Sequence, residues 1–225
     1  METLRTDLTL KAEIDLYYDV YVPENIETPA SLLLAVHGYG QHKGWIMREA
    51  RAIAGDKFVI AALQGPHQHF QQSGERYRTG FAWLTDHRPE EYIRLHHKFL
   101  LDVIDRLAAE QLIDRSRVCL FGYSQASALN FRFAFTHPDV LRAVIAACGG
   151  IPGDLDTNPI YQPFQAETFY LFGSDDEFYP KEKFLEFDQK LASRLPNYRS
   201  KHYEAKHEIT NEMRRDMEKF LLELD

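Results

Sequence analysis

Apolar and polar residues recur with two periods along this chain, and the switches between them outline most of its elements. "IDLYYDVYVP" alternates and ends at Pro23, which suits an early antiparallel strand. "SLLLAVHG" is an unbroken apolar run closed by His-Gly, as expected of a strand buried on both faces. "GWIMREARAIAG" then has helical spacing and a glycine stop. "FVIAAL", from Phe58 to Leu63, is the next buried strand. From Gln64 to Pro89 no period is sustained, and Gly, Gln, His and aromatic residues dominate. The expectation there is a long loop, which in a compact domain is usually functional or else a misread element.

The period returns with "PEEYIRLHHKFLLDVIDRLAAE", a long amphipathic helix with Pro and acids at its start. "RVCLFG" reads as a strand, "SQASALNFRFAFTH" as a helix ended near Pro138, and "LRAVIAACGG" as a strand with a double-glycine exit. "ETFYLFG" is one more strand, "YPKEKFLEFDQKLASRL" a helix, "YRSKHYEA" a strand and "TNEMRRDMEKFLLEL" the closing helix. Strand and helix thus alternate from about residue 31 onward, which implies parallel strands joined by right-handed crossovers. The expected fold is α/β: one domain over residues 1–225, a doubly wound, mostly parallel sheet with helices on both faces and no large cap. No repeat, low-complexity segment or linker divides it.

Composition narrows the partners. The 225 residues are 44% hydrophobic and 13% aromatic, enough for a proper core, and 26 Lys+Arg against 34 Asp+Glu leave a net charge of −8. An acidic chain repels phosphate backbones, and the densest cationic group, Arg214 and Arg215, sits among Glu212, Asp216 and Glu218. Nucleic acid is therefore not an expected partner. Cys119 and Cys148 lie in or beside apolar runs and read as buried reduced thiols, not as a disulfide or a metal site. Charges interrupt the first nineteen residues, and no apolar run is long enough to span a bilayer. The default expectation is a cytoplasmic protein; a homodimer stays open.

In a doubly wound sheet, ligands bind at the carboxyl ends of the strands, so chemistry is sought where apolar runs stop. Four such stops are unusual: His37-Gly38-Tyr39-Gly40, Ser124 in "GYSQAS", Asp175-Asp176 in "GSDDEFYP", and His207 in "KHEIT". A serine needs a base to take its proton, and a histidine oriented by a carboxylate can act as that base. In chain order the candidates run Ser, Asp, His, as in α/β-hydrolases.

Together these motifs resemble the phospholipase/carboxylesterase branch of the α/β-hydrolase superfamily, which includes acyl-protein thioesterases and small carboxylesterases. The resemblance extends from about Leu32 onward and includes "HGYG", "GFAWL", "GYSQAS", "GSDDEFYP" and "KHEIT". It implies Ser124 as nucleophile, Asp176 as acid and His207 as base. Asp176, rather than Asp175, stands three after Gly173 and four before Pro180, in the family register. It also implies an oxyanion hole from the amides of Tyr39 and Gln125, with His37 as a loop brace. The sequence departs from the family pattern at Ala126, Gln41, Phe172 and Lys206. Ala126 stands where glycine is usual, at a position that needs a small side chain because helix and strand nearly touch.

Each residue also has a plainer reading. Ser124 could simply cap the next helix, and Asp176 could belong to a solvated acidic turn. His67 with His69, and His96 with His97, lack a third ligand, so no metal is expected. Trp83 is read as a wall or floor of the substrate pocket; Phe70, Tyr77 and Phe81 are left undecided. The expected pocket is open and shaped by the 64–89 segment and the "GGIPGDLDTN" loop. The reading is a serine hydrolase that cleaves a small-molecule ester or thioester through an acyl-enzyme, without a cofactor. Its rivals are a peptidase or acyltransferase on the same triad, and a silent binding protein that kept the fold.

Overall fold

The computed structural model describes residues 3–224. Its apolar runs become the strands β2 (Ala30–Val36), β3 (Val59–Leu63) and β7 (Ala143–Ala147), every residue of which is buried. The shorter β1 (Tyr18–Tyr21) is half solvated, as its alternation requires. Strands β6 (Ile113–Tyr123), β8 (Glu167–Gly173) and β9 (Tyr198–Tyr203) complete a seven-stranded sheet of order β1-β3-β2-β6-β7-β8-β9. All pairings are parallel except β1 with β3. The sheet is mostly parallel and doubly wound.

Side chains leave a strand alternately up and down, so each buried strand feeds two cores. Leu32, Leu34 and Val36 face one way, toward α2 (Pro89–Ala109), α3 (Gln125–Thr136) and α4 (Lys181–Ala192). Leu33 and Ala35 face the other way, toward α1 (Lys43–Ala54) and α5 (Asn211–Leu222). Helices therefore cover both faces. α5 shows how its own sequence starts it: the Thr210 hydroxyl accepts from the Met213 amide, while Met213, Met217, Phe220 and Leu221 form one buried stripe. Phe172, at one of the family departures, stacks on Phe184 of α4 with centroids 4.9 Å apart, both rings fully buried. Burial on that scale contributes about 2–3 kcal/mol for the side chain.

One expectation needs correction. The segment expected as a long loop contains a hairpin, β4 (His67–Ser73) and β5 (Arg76–Ala82), paired antiparallel apart from the main sheet. The two-residue connection Gly74-Glu75 has Gly74 at φ 62°, the position where such a turn demands glycine. The strand period is present in burial but not in hydrophobicity. His67, His69 and Gln71 face inward, whereas Gln68, Phe70 and Gln72 face solvent. Within β5, the Phe81 carbonyl accepts from the Gly40 amide at 2.8 Å and Phe81 bridges to Gln41, tying the hairpin to the loop after β2.

Candidate active site

The chain leaves β2 in one direction to form β3 and later returns on its other side as β6, so the strand order reverses between β2 and β6. A crevice opens outside the carboxyl ends of strands at such a reversal. Val36 and Gly122 are register partners there, which places the His37–Gly40 loop beside Ser124.

Ser124 joins β6 to α3 with φ 54° and ψ −117°, a conformation unfavourable for any residue with a side chain. Its backbone is held by its own N–H donating to the Ala147 carbonyl at 2.9 Å and by its carbonyl accepting from Ser127 N–H at 2.9 Å. The turn is tight because Gly122 has no side chain: a Cβ there would lie 2.4 Å from Asn130 Nδ2 and 3.2 Å from the Ala126 backbone. Ala126 is fully buried against the same crossing, so it is the backbone of Ala126, not its side chain, that crowds Gly122. Although Ser124 occupies the cap position of α3, its hydroxyl makes no capping bond. It pairs instead with His207 Nε2 at 2.8 Å.

His207, after β9, places Nδ1 2.7 Å from Asp176 Oδ2. The other oxygen, Oδ1, accepts the amides of Phe178 at 2.8 Å and Tyr179 at 3.0 Å. A carboxylate accepts hydrogen bonds, so Nδ1 carries the proton and leaves the Nε2 lone pair facing the serine hydroxyl. The Asp176 side chain is inaccessible to solvent and that of His207 nearly so, whereas Asp175 is exposed. The exposed Glu177 accepts the His207 amide at 3.0 Å and joins the acid loop to the histidine loop. Tyr123 donates its hydroxyl to the His207 carbonyl at 2.7 Å and lays its ring 5.2 Å from the imidazole. Burial, with the negative charge of Asp176 nearby, pushes this phenol well above its usual range and keeps it a neutral donor.

His37 is fully buried behind the site, and burial, with the His42 charge, lowers its pKa to about 4 against the opposing pull of the Gly38 carbonyl. The neutral ring donates from Nδ1 to that carbonyl at 2.7 Å. Its Nε2 accepts from Gly65 N–H at 2.9 Å and from the Gln64 amide at 3.0 Å. These bonds brace the loop that carries Gly38 and Tyr39. A Cβ on Gly38 would sit 2.9 Å from Ser124 Cβ, so glycine is what lets this loop lie against the serine.

Trp83 does not line the cleft, contrary to the sequence-based expectation. It is 1% exposed, its indole N–H bonded to the His37 carbonyl at 2.8 Å and its amide to Gln125 Oε1 at 2.9 Å. The polar edge of the ring is used to support the His37 loop from below, and its neighbour Leu84 reaches the cleft instead. Gln125 completes the clamp by donating Nε2 to the Leu84 carbonyl at 3.1 Å. The Gln125 amide opens α3, where N–H groups have no partner within the helix.

The cleft over Ser124 and His207 measures about 940 Å³. Gln71 and Leu84 wall one side, and Ile151 and Gly153 another, so both expected segments shape it. Phe178, largely exposed, stands over His207 with its ring 4.7 Å away. Cys148, although near, is inert: burial pushes its thiol up to about 12 and its S–H points at the Glu208 carbonyl. Neither cysteine forms a disulfide. Among the described residues no His/Cys/Asp/Glu group could hold a metal ion, and no helix is long and apolar enough to cross a membrane.

Residues with no sequence-based expectation complete the site: Tyr123, Glu177, Phe178 and Arg132, together with the side chain of Gln125. Arg132 had a visible signal, a cation inside the apolar stretch "LNFRFAF" of a helix buried on most of its surface.

The same architecture occurs in solved structures. A carboxylesterase from Mesorhizobium loti is 18% identical, with a TM-score of 0.73 over 95% of this chain and 98% of that one. The Bacillus cereus carboxylesterase gives 16% identity and a TM-score of 0.71 over 93% and 95%. The L63A variant of SOBER1 from Arabidopsis thaliana gives 17% and 0.65 over 87% and 99%. At these identities the likeness establishes the fold. No curated protein matches the sequence. The family model for Phospholipase/Carboxylesterase does match, over residues 19–224. The chain, with its serine at a strained strand–helix turn and its histidine and aspartate on neighbouring strand ends, belongs to the phospholipase/carboxylesterase family of α/β-hydrolases.

Proposed function

We propose that this hydrolase cleaves carboxylic esters or thioesters through an acyl-enzyme on Ser124. One observation carries the assignment: the unbroken hydrogen-bond chain from Asp176 through His207 to Ser124, at 2.7 and 2.8 Å. As Ser124 Oγ attacks the carbonyl carbon, His207 Nε2 takes its proton, and Asp176 steadies the resulting imidazolium. The negative oxygen of the tetrahedral intermediate is received by the amides of Tyr39 and Gln125. Collapse breaks the bond to the alcohol or thiol, which leaves with the proton from His207. Water, deprotonated by the same imidazole, then releases the acid and restores the serine.

The clamp of Gln125 onto residues 83 and 84 and the brace of His37 support this reading, because an oxyanion site needs its donors fixed before reaction. A protein that had lost turnover would have no need to keep Ser124 in a strained turn with its hydroxyl on His207. The test is a fluorophosphonate probe, expected to label the folded protein and not Ser124→Ala. An unlabelled wild type would sink the assignment; labelling of the variant would move the nucleophile elsewhere. A chain-length series of acyl esters and thioesters then separates the two substrate types.

A further inference from the structure

The floor of the cleft is not uniformly apolar. Ala128, Leu129 and Arg132 follow Ser124 along one side of α3 and all line the cleft. Among the described lining residues Arg132 is the one permanently charged side chain, and none is an Asp or Glu. In a chain with a net charge of −8, a cation here stands out from its surroundings. The guanidinium is held from behind: Nη1 bonds Asp154 Oδ1 at 2.7 Å and also the Tyr161 hydroxyl. Asp154 is tied in turn to Asn158 Nδ2 at 2.9 Å and to the Tyr161 hydroxyl at 3.2 Å. Its carboxyl is partly buried, which would raise it, yet the bonds to Arg132 and Asn158 hold it below the usual range. The anchor is therefore an ionised pair. Both bonds to the arginine use Nη1, which leaves Nε and Nη2 without a protein partner among the described residues. The side chain is 18% exposed.

We propose that Arg132 is a specificity residue: its unpaired edge receives a carboxylate at the far end of the substrate, so that the preferred substrates are esters or thioesters of anionic half-acid type. This rests on the ester-hydrolase reading above. Arg132 lies eight residues after Ser124, about 12 Å along a helix axis, and helical side chains lean back toward the N-terminus. The span left between guanidinium and Ser124 is roughly five or six bonds of alkyl chain, over the apolar surface of Ala128 and Leu129. Guanidinium recognises planar oxyanions through paired N–H groups. Asp154 already offsets part of its charge, which suits a carboxylate better than a doubly charged phosphate.

The test compares esters matched in length and ending in methyl, carboxylate or phosphate, with that group placed in the acyl part in one set and in the leaving alcohol in the other. The wild type is expected to favour the carboxylate over the methyl end in one set by about tenfold in kcat/KM, and by less at high salt. Arg132→Gln should bring that ratio to about one. Asp154→Asn, which removes the competing charge, should raise it, and this opposite sign separates recognition from damage to the fold. Equal rates in the wild type, a preference that survives in Arg132→Gln, or a stronger preference for phosphate would each overturn the proposal. If the folded protein leaves every ester intact, the hydrolase reading is what fails. The proposal is then decided by calorimetry with the non-cleavable amide analogues: an acid-over-methyl affinity difference lost in Arg132→Gln supports it, and its absence refutes it.

Discussion

Lowering the pH from 7.5 to 5 should remove at least about 4 kcal/mol of stability, and three buried histidines, His37, His96 and His97, are the reason. Burial lowers His37 to about 4, burial together with the nearby charges of His137 and Arg132 does the same for His97, and complete burial holds His96 well below its usual range; all three would titrate at 6.5 in the unfolded chain. The folded value lies below the unfolded one. Between about pH 4 and 6.5 the unfolded chain therefore binds more protons, and stability falls as the pH falls. At pH 5 an unfolded imidazole is almost wholly protonated and the folded one almost wholly neutral, a difference of about 2 kcal/mol for each histidine. Against a total of about 5–15 kcal/mol for a typical domain, the loss is large. The shares of His37 and His97 saturate below about pH 4. Carboxylates held low by partners, such as Asp156 and Glu186, withdraw their contribution only below their unfolded values of 3.8 and 4.5, so the upper window isolates the histidines. The measurement is a urea midpoint at half-unit steps from pH 7.5 to 5, repeated on His97→Gln, whose slope should be shallower by one histidine's share of the three. A midpoint that stays flat across this range, or a variant with an unchanged slope, refutes the reasoning.

Other substitutions separate strain from chemistry at the turn. Ser124→Gly should abolish turnover yet raise the unfolding free energy by about 1 kcal/mol, read as a higher urea midpoint, because glycine adopts φ 54° and ψ −117° without penalty. A destabilised variant would mean that the hydroxyl's bond to His207 outweighs the strain. Gly38→Ala places a methyl 2.9 Å from Ser124 Cβ and 3.2 Å from the Tyr123 carbonyl. It should push the Tyr39 amide away and lower kcat by at least about tenfold while changing KM little, a split read directly from initial rates. An unchanged kcat would show that the loop can move aside at no cost.

The site was legible where its chemistry follows an apolar run. Ser124 and Asp176 stand just past the ends of β6 and β8, whose side chains bury on both faces and so announce themselves by composition, whereas His207 follows β9, a mostly exposed strand, and is legible through its motif. The choice of Asp176 over Asp175 came from motif register; the structure supplies the physical distinction, one side chain enclosed and the other in water. The hairpin of β4 and β5 was hidden because its inner face is His67, His69 and Gln71, so polarity does not follow burial. Trp83 was misplaced for a related reason. Aromatic composition shows that a ring lies near the site, but not that its N–H is spent on the His37 carbonyl beneath it. The strain at Ser124 is a property of φ and ψ together, and the small neighbours Gly122 and Ala126 only make room for it.

The hydrogen bonds of the Asp176–His207–Ser124 chain join positions 83 and 31 residues apart in sequence. Closing loops of that length costs chain entropy before any contact rewards it, so these bonds cannot nucleate folding. They require β9 to be paired with β8 and β8 with β7, the strands that end that flank of the sheet. Catalytic competence is thus expected to be acquired late in assembly. In refolding, the return of turnover should trail the burial of Trp83, and a partly folded chain would hold an intact core beneath a dismantled triad.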